Sequence, residues 1–95
     1  MSLGEIKIVD QVELTSMPQK AASAWTAVED LVGAMYKPIA YVGTQQVKGV
    51  NHWFIAEQTL LDAVMERNIV SFAINEFNGN FKVIPHTITK IDFEL

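Results

Sequence analysis

Cysteine is missing from this chain of 95 residues, and positive charge is scarce. Without thiols the chain has no disulfides, no thiolate nucleophile and no cysteine-liganded zinc. Seven Lys and Arg residues oppose eleven Asp and Glu residues, which gives a net charge of −4. The seven cations do not cluster, whereas contacts to a phosphate backbone need a basic stripe. We therefore expect no nucleic-acid partner.

Long apolar runs are also lacking, since the longest is far short of the ~20 residues that cross a bilayer. The chain does not begin with a basic-then-apolar signal segment, so we expect no membrane partner and favour a cytoplasmic location. The 49% of hydrophobic residues and 19% of charged residues are typical of a folded protein. We expect a single domain over residues 1–95, in which residues 1–3 resemble an expression scar.

A helix is predicted over residues 17–35. Ser16 and Gln19 fit a capping box, and Pro18 falls where a missing N–H does no harm. Pro38 disfavours the α conformation at the residue before it and closes the segment. Apolar residues recur at helical spacing, which predicts one buried face: Ala21, Trp25, Val28, Leu31, Val32 and Met35.

The remaining segments favour strands, because they are rich in β-branched and aromatic residues and partly alternate. They cover residues 5–14, 39–47, 52–60, 69–77 and 81–93. Asn78-Gly79 predicts a tight hairpin, and Pro85 implies an edge position or a bulge. For residues 61–68 the sequence allows two predictions: one capped helical turn, or a strand that continues to a turn at Arg67-Asn68. The fold class is α+β, with a single long helix packed across a four- to five-stranded antiparallel sheet.

One helix cannot cover both faces of such a sheet. In the segment 52–60, alternation places His52, Phe54 and Ala56 on one face and Trp53 and Ile55 on the other. The uncovered face either meets a partner, such as a second copy of the chain, or is closed by the N-terminal strand or a bend.

Catalytic patterns are lacking as well. His52 and His86 lie in predicted strands without a nucleophile motif beside them, and the carboxylates are scattered. A single strand histidine is more often a packed or hydrogen-bonded residue than a general base. We therefore expect no enzyme, no cofactor and no metal site.

The connection between the second and third strands carries the most informative motif. Gln45, Gln46, Val47, Lys48 and Gly49 read Q-x-V-x-G, and an asparagine follows two residues later. Glycine supplies the backbone freedom for a tight turn there. Val47 is then either an apolar residue at the hairpin tip, available for binding, or the last inward residue of its strand. Spacing alone leaves both interpretations open.

This motif resembles that of the cystatins and stefins, which read Q-V-V-A-G-T-N-Y-F-I where this chain reads Q-Q-V-K-G-V-N-H-W-F-I. The order of one helix followed by four strands is also similar, and the likeness covers roughly residues 14–93. The chain has no glycine at 14–18 and no Pro-Trp at 77–80, where the family carries them.

The resemblance implies a cystatin-like fold and a reversible inhibitor of papain-like cysteine proteases. The Gln45 to Gly49 hairpin would plug the active-site cleft, and Asn78 and Gly79 would make a second-hairpin contact. The alternative is a non-inhibitory protein-interaction module of the same fold, which would form a homodimer through its open sheet face. A small-molecule-binding or enzymatic domain is a third class, for which 95 residues leave little room.

Overall fold

The computed structural model describes residues 6–8 and 19–92, which form an α+β domain with an antiparallel sheet. One short helix, α1 (Gln19–Trp25), continues as a 3₁₀ helix (Thr26–Asp30). The strands are β1 (Ile6–Ile8), β2 (Ala34–Val47), β3 (Gly49–Leu60), β4 (Arg67–Phe77), β5 (Asn80–Val83) and β6 (Thr89–Lys90). The α+β class and the antiparallel sheet are thus confirmed.

The predicted long helix is wrong, because the helical segment ends at Asp30 rather than at residue 35. Leu31 is already extended, and Gly33 has a φ of +83°, a conformation that interrupts any helix. Val32 is 95% exposed and Met35 is 59% exposed, so neither belongs to the core as predicted. The predicted cap at Ser16 lies outside the described residues.

Pairing with β3 explains why the residues after Gly33 form a strand. β2 is 14 residues long and pairs with β3 from Ala34 opposite Leu60 to Val47 opposite Gly49. A strand satisfies these backbone groups across the sheet, whereas a helix here would leave β3 with an open edge. Pro38 lies inside β2 beside a register shift, where a missing N–H is tolerated.

The strands follow the order β1-β2-β3-β4-β5, and every pairing in the sheet is antiparallel. β1 pairs with residues 43–45 of β2, although the helix separates these two strands in the sequence. The remainder of the predicted first strand, residues 9–14, lies outside the described residues. β6 pairs with β4 beyond the end of β5, so β4 has two successive partners on one side.

Residues 61–66 form a loop, which is neither the capped helical turn nor the continued strand that the sequence left open. The Oδ1 of Asp62 accepts hydrogen bonds from the backbone N–H groups of Val64 and Met65, at 3.0 and 2.8 Å. The last predicted strand is interrupted by a 3₁₀ turn, Pro85–Thr87, which separates β5 from β6. Pro85 therefore begins a break between two strands, rather than the edge position or bulge within one strand that the sequence predicted.

The core lies between the helical segment and one face of the sheet. Ala21, Ala24 and Ala27 let the helix approach closely, because their side chains are short. Phe54 and Phe72 are fully buried at its centre, with ring centroids 6.0 Å apart. Trp25 and Leu31, which were predicted to be buried on the helix, are only partly buried, although both pack against this cluster.

Candidate functional site

Two tight hairpins lie at the same end of the sheet. The first joins β2 to β3, with Val47 opposite Gly49 and Lys48 alone between them. The second joins β4 to β5 through Asn78 and Gly79, whose φ values of 51° and 77° make the favoured two-residue turn. The second of these turns was predicted from Asn-Gly, and the structure confirms it. We refer to residues 47–49 and 77–79 together as the two-hairpin end.

Gly49 fixes how closely the two hairpins approach. Its φ is +83°, and a Cβ at this position would overlap the backbone carbonyl oxygen of Glu76 and lie 3.1 Å from the Cβ of Phe77. Glycine is therefore needed for its conformation and also for the contact with β4. The sequence predicted the first reason, and only the structure reveals the second.

Contacts from β4 hold the tip of the first hairpin. The carbonyl oxygen of Lys48 accepts a hydrogen bond from the Nδ2 of Asn75, at 3.2 Å. The Nζ of Lys48 lies 5.4 Å from the centroid of the Phe77 ring, within the range of a cation–π contact. Phe77 itself is 42% exposed, so an aromatic side chain stands between the two turns.

The predicted binding residues do not all project from the tip. Lys48 and Gln46 are exposed, whereas Val47 is half-buried. Gln45 lies further down β2 and accepts a hydrogen bond from the indole N–H of Trp53, at 3.0 Å. Lys48 therefore occupies the tip itself, and Val47 is the last residue of β2.

A cleft of about 400 Å³ opens beside the two-hairpin end, between the start of α1 and the β4–β5 hairpin. Gln19, Lys20 and Ser23 form its helical wall. Glu76 is the single carboxylate among the described residues that line it. The opposite wall includes Val50, Phe77 and Phe81 together with Glu76 and Asn78.

A hydrogen-bonded network of three side chains connects this cleft to the core. The Nε2 of His52 lies 2.9 Å from the Oε1 of Glu76, and its Nδ1 lies 3.0 Å from the hydroxyl oxygen of Tyr41. His52 is 1% exposed and Tyr41 is 7% exposed, whereas the Glu76 side chain is 39% exposed. The network therefore runs from buried protein to an accessible carboxylate.

When His52 is neutral, the chemistry of the three groups sets the direction of these hydrogen bonds. An ionised carboxylate only accepts, so the Nε2–H of a neutral His52 donates to Glu76. The Nδ1 of His52 is then an acceptor, and Tyr41 donates its O–H to it. Burial raises the pKa of Tyr41 above 10.0, and the negative charge of Glu76 raises it further. A protonated Tyr41 is the donor that this arrangement requires.

Sequence reasoning assigned His52 to a packed or hydrogen-bonded position, which the structure confirms, but it did not find the network. A signal was present: alternation places Glu76 on the same face of β4 as Phe72 and Ile74. An inward-facing carboxylate and an inward-facing histidine on neighbouring strands predict a hydrogen-bonded pair. His86 lies apart, exposed on the 3₁₀ turn.

The face of the sheet opposite the helix carries Trp53 and Ile55, both half-buried. Polar pairs lie around them: Arg67 donates to Glu57 at 2.7 Å, and Asn75 donates to Asn51 at 3.0 Å. This outer face therefore mixes apolar and paired polar side chains.

Within residues 6–8 and 19–92, no group of three or more His, Asp or Glu side chains is arranged to hold a metal ion. The helical segment in this part of the chain is too short to span a membrane.

Comparison with protein-family models, with curated proteins and with solved structures finds no match to this chain.

Proposed function

We propose that this protein binds another protein through its two-hairpin end, and that the partner is a papain-like cysteine protease. The observation that supports this proposal most directly is the side-by-side position of the two turns, with Phe77 exposed between them. A convex edge of two turns fits a concave cleft, and an exposed aromatic residue is a common anchor in protein interfaces.

The rigidity of this end also suits a binding role. Gly49 packs directly against the β4 backbone, and Asn75 holds the carbonyl group of Lys48. Turns that are already ordered lose little conformational entropy on binding, which favours affinity. The choice of a protease as the partner comes from the Q-x-V-x-G motif at Gln45 to Gly49 and from a cystatin-like order of helix and strands.

In this proposal Phe77 takes the part that the second-hairpin tryptophan takes in the family. The protein would block the protease without being cut, since the hairpins fill the cleft while presenting no peptide bond to the nucleophile. Lys48 lies at the tip of the first hairpin, so its ammonium group would need an acidic partner in the protease cleft.

Titration of papain with this protein, read with a fluorogenic peptide substrate, tests the proposal. We expect inhibition by the unmodified protein at micromolar concentration or below. Val47→Asp should weaken it at least tenfold, because an unpaired carboxylate would be desolvated in the cleft. Val64→Asp is the matched control, since Val64 is 81% exposed in the loop at the other end of the sheet. Circular dichroism would verify that both variants remain folded.

Full papain activity in the presence of micromolar protein would refute the protease assignment. Equal loss of inhibition in Val47→Asp and Val64→Asp would refute the placement at the two-hairpin end.

A second candidate is an interaction module that forms a homodimer through the outer face. Trp53 and Ile55 favour it, because they are half-buried on the side of the sheet away from the helix. Light scattering over a concentration series tests this candidate. A species of twice 10.6 kDa that Ile55→Lys converts to a monomer would support it, and a monomer throughout would refute it.

A further inference from the structure

We infer that the cleft beside the two-hairpin end is a binding site for a ligand that carries a guanidinium or alkylammonium group, with Glu76 as the anionic contact. The site does not require protease inhibition, because it lies between the helix and the β4–β5 hairpin and its polar anchor differs from the proposed wedge residues.

The first support is the way in which Glu76 is held. Its Oε1 accepts the hydrogen bond from His52, which is itself 1% exposed and bonded to Tyr41. A carboxylate fixed by buried partners keeps its position when a ligand arrives and so loses little side-chain entropy. Many surface carboxylates lack such an anchor, and this difference singles out Glu76.

The second support is the free bonding capacity of the same carboxylate. Among residues 19–92 no hydrogen bond or ion pair reaches the Oε2 of Glu76, and its side chain is 39% exposed. Lys20 lines the same cleft without forming an ion pair with Glu76. An ionised oxygen that faces a cleft accepts strong, charge-assisted hydrogen bonds from cationic N–H donors.

The third support is the aromatic surface beside the carboxylate. Phe81 is the cross-strand neighbour of Glu76 in the β4–β5 pair and lines the same cleft. An aromatic face attracts cations and also packs against the methylene groups that precede them. A cleft of about 400 Å³ is at the lower end of the range for small-molecule sites and accommodates one long basic side chain.

A carboxylate next to an aromatic ring is a combination that recognises arginine-like and lysine-like groups. Such a group could belong to a small molecule or to the basic side chain of a peptide, and the cleft chemistry is the same for both. Lys20 weakens the site by charge repulsion, so its removal should strengthen binding.

Two matched probes test the inference by NMR titration: N-acetyl-arginine amide, which carries a guanidinium, and N-acetyl-citrulline amide, its neutral isostere. We expect the arginine probe to shift amide resonances around Glu76 and Phe81, with the citrulline probe at least tenfold weaker. A peptide with arginine between alanines forms the third arm. Tighter binding of the peptide than of the small amide would assign the group to a partner side chain, and the reverse order would assign it to a small ligand.

Variants then locate the contact. Glu76→Gln keeps an acceptor for His52 but removes the charge, so it should weaken the arginine probe at least tenfold. Glu57→Gln is the matched control, because Glu57 is an ion-paired carboxylate on the outer face, and it should leave binding unchanged. Lys20→Ala should tighten binding.

Equal binding of the arginine and citrulline probes, or no binding of either up to tens of millimolar, would overturn the inference. Unchanged binding in Glu76→Gln would also overturn it. Papain inhibition measured on the same variants separates the two proposals: loss of the arginine site with intact inhibition would leave the hairpin function standing, and the converse would leave the cleft site standing.

Discussion

Replacing Gly49 by alanine isolates the contact that holds the two hairpins together. The structure offers two matched controls, Gly33 and Gly79, whose φ values of 83° and 77° are nearly the same as the 83° of Gly49. A Cβ at either control position meets nothing within 4 Å, whereas a Cβ at Gly49 overlaps the carbonyl oxygen of Glu76. The three substitutions therefore share the cost of a positive φ. Only Gly49→Ala adds the steric overlap with the Glu76 carbonyl oxygen.

The magnitudes follow from these two terms. A left-handed conformation costs a non-glycine residue about 1–2 kcal/mol. Forcing a methyl group into an occupied space adds about 1–3 kcal/mol, because the backbone of β4 must move. We expect Gly33→Ala and Gly79→Ala to lose about 1–2 kcal/mol of unfolding free energy, and Gly49→Ala to lose about 2–5 kcal/mol.

Urea unfolding followed by the fluorescence of Trp25 and Trp53 measures these losses. Variants are compared only where the dependence of unfolding free energy on urea concentration, the m-value, is unchanged. Asparagine provides a second comparison, because it tolerates the left-handed conformation better than alanine. Gly79→Asn should recover much of the loss, and Gly49→Asn should not, since its Cβ meets the same carbonyl. A loss in Gly49→Ala no greater than that in Gly79→Ala would refute the close approach of the hairpins.

Three further predictions concern the core, the buried network and the end of the helix. Phe54→Ala should lower the unfolding free energy by about 3–5 kcal/mol in urea titration, because Phe54 is fully buried; a loss below about 1 kcal/mol would contradict its central position. Because the folded pKa of Tyr41 is raised above 10.0, its stabilisation is complete below that pH and is lost as the pH rises further. Unfolding measured from pH 9 upwards should therefore show a decline that is smaller in Tyr41→Phe, and identical slopes would contradict the raised pKa. Val32→Ser should change the free energy of unfolding by less than about 0.5 kcal/mol, since Val32 is 95% exposed. A large loss would instead support the longer helix that the sequence predicted.

The sequence by itself determined those features that depend on local chemistry. Asn78-Gly79 specifies a two-residue turn because both residues accept positive φ, and it does so without help from distant contacts. Alternation in 52–60 placed His52, Phe54 and Ala56 on one face, and all three are buried together. Helical spacing from Ala21 to Val28 found the side of the helix that packs on the sheet.

Pairing with β3, together with the positive φ of Gly33, decided where the helix ends. Leu31, Val32 and Met35 continue the helical spacing, but β3 offers a long partner for the residues after Gly33, and pairing there satisfies more backbone groups than another helical turn would. Tertiary contacts also decided the site. The cleft, the Tyr41–His52–Glu76 network and the contact of Gly49 with β4 all join residues that are distant in sequence, and their distances depend on strand register. Register is set by the packing of the whole sheet, so the sequence supplied the residue types and the fold supplied their arrangement.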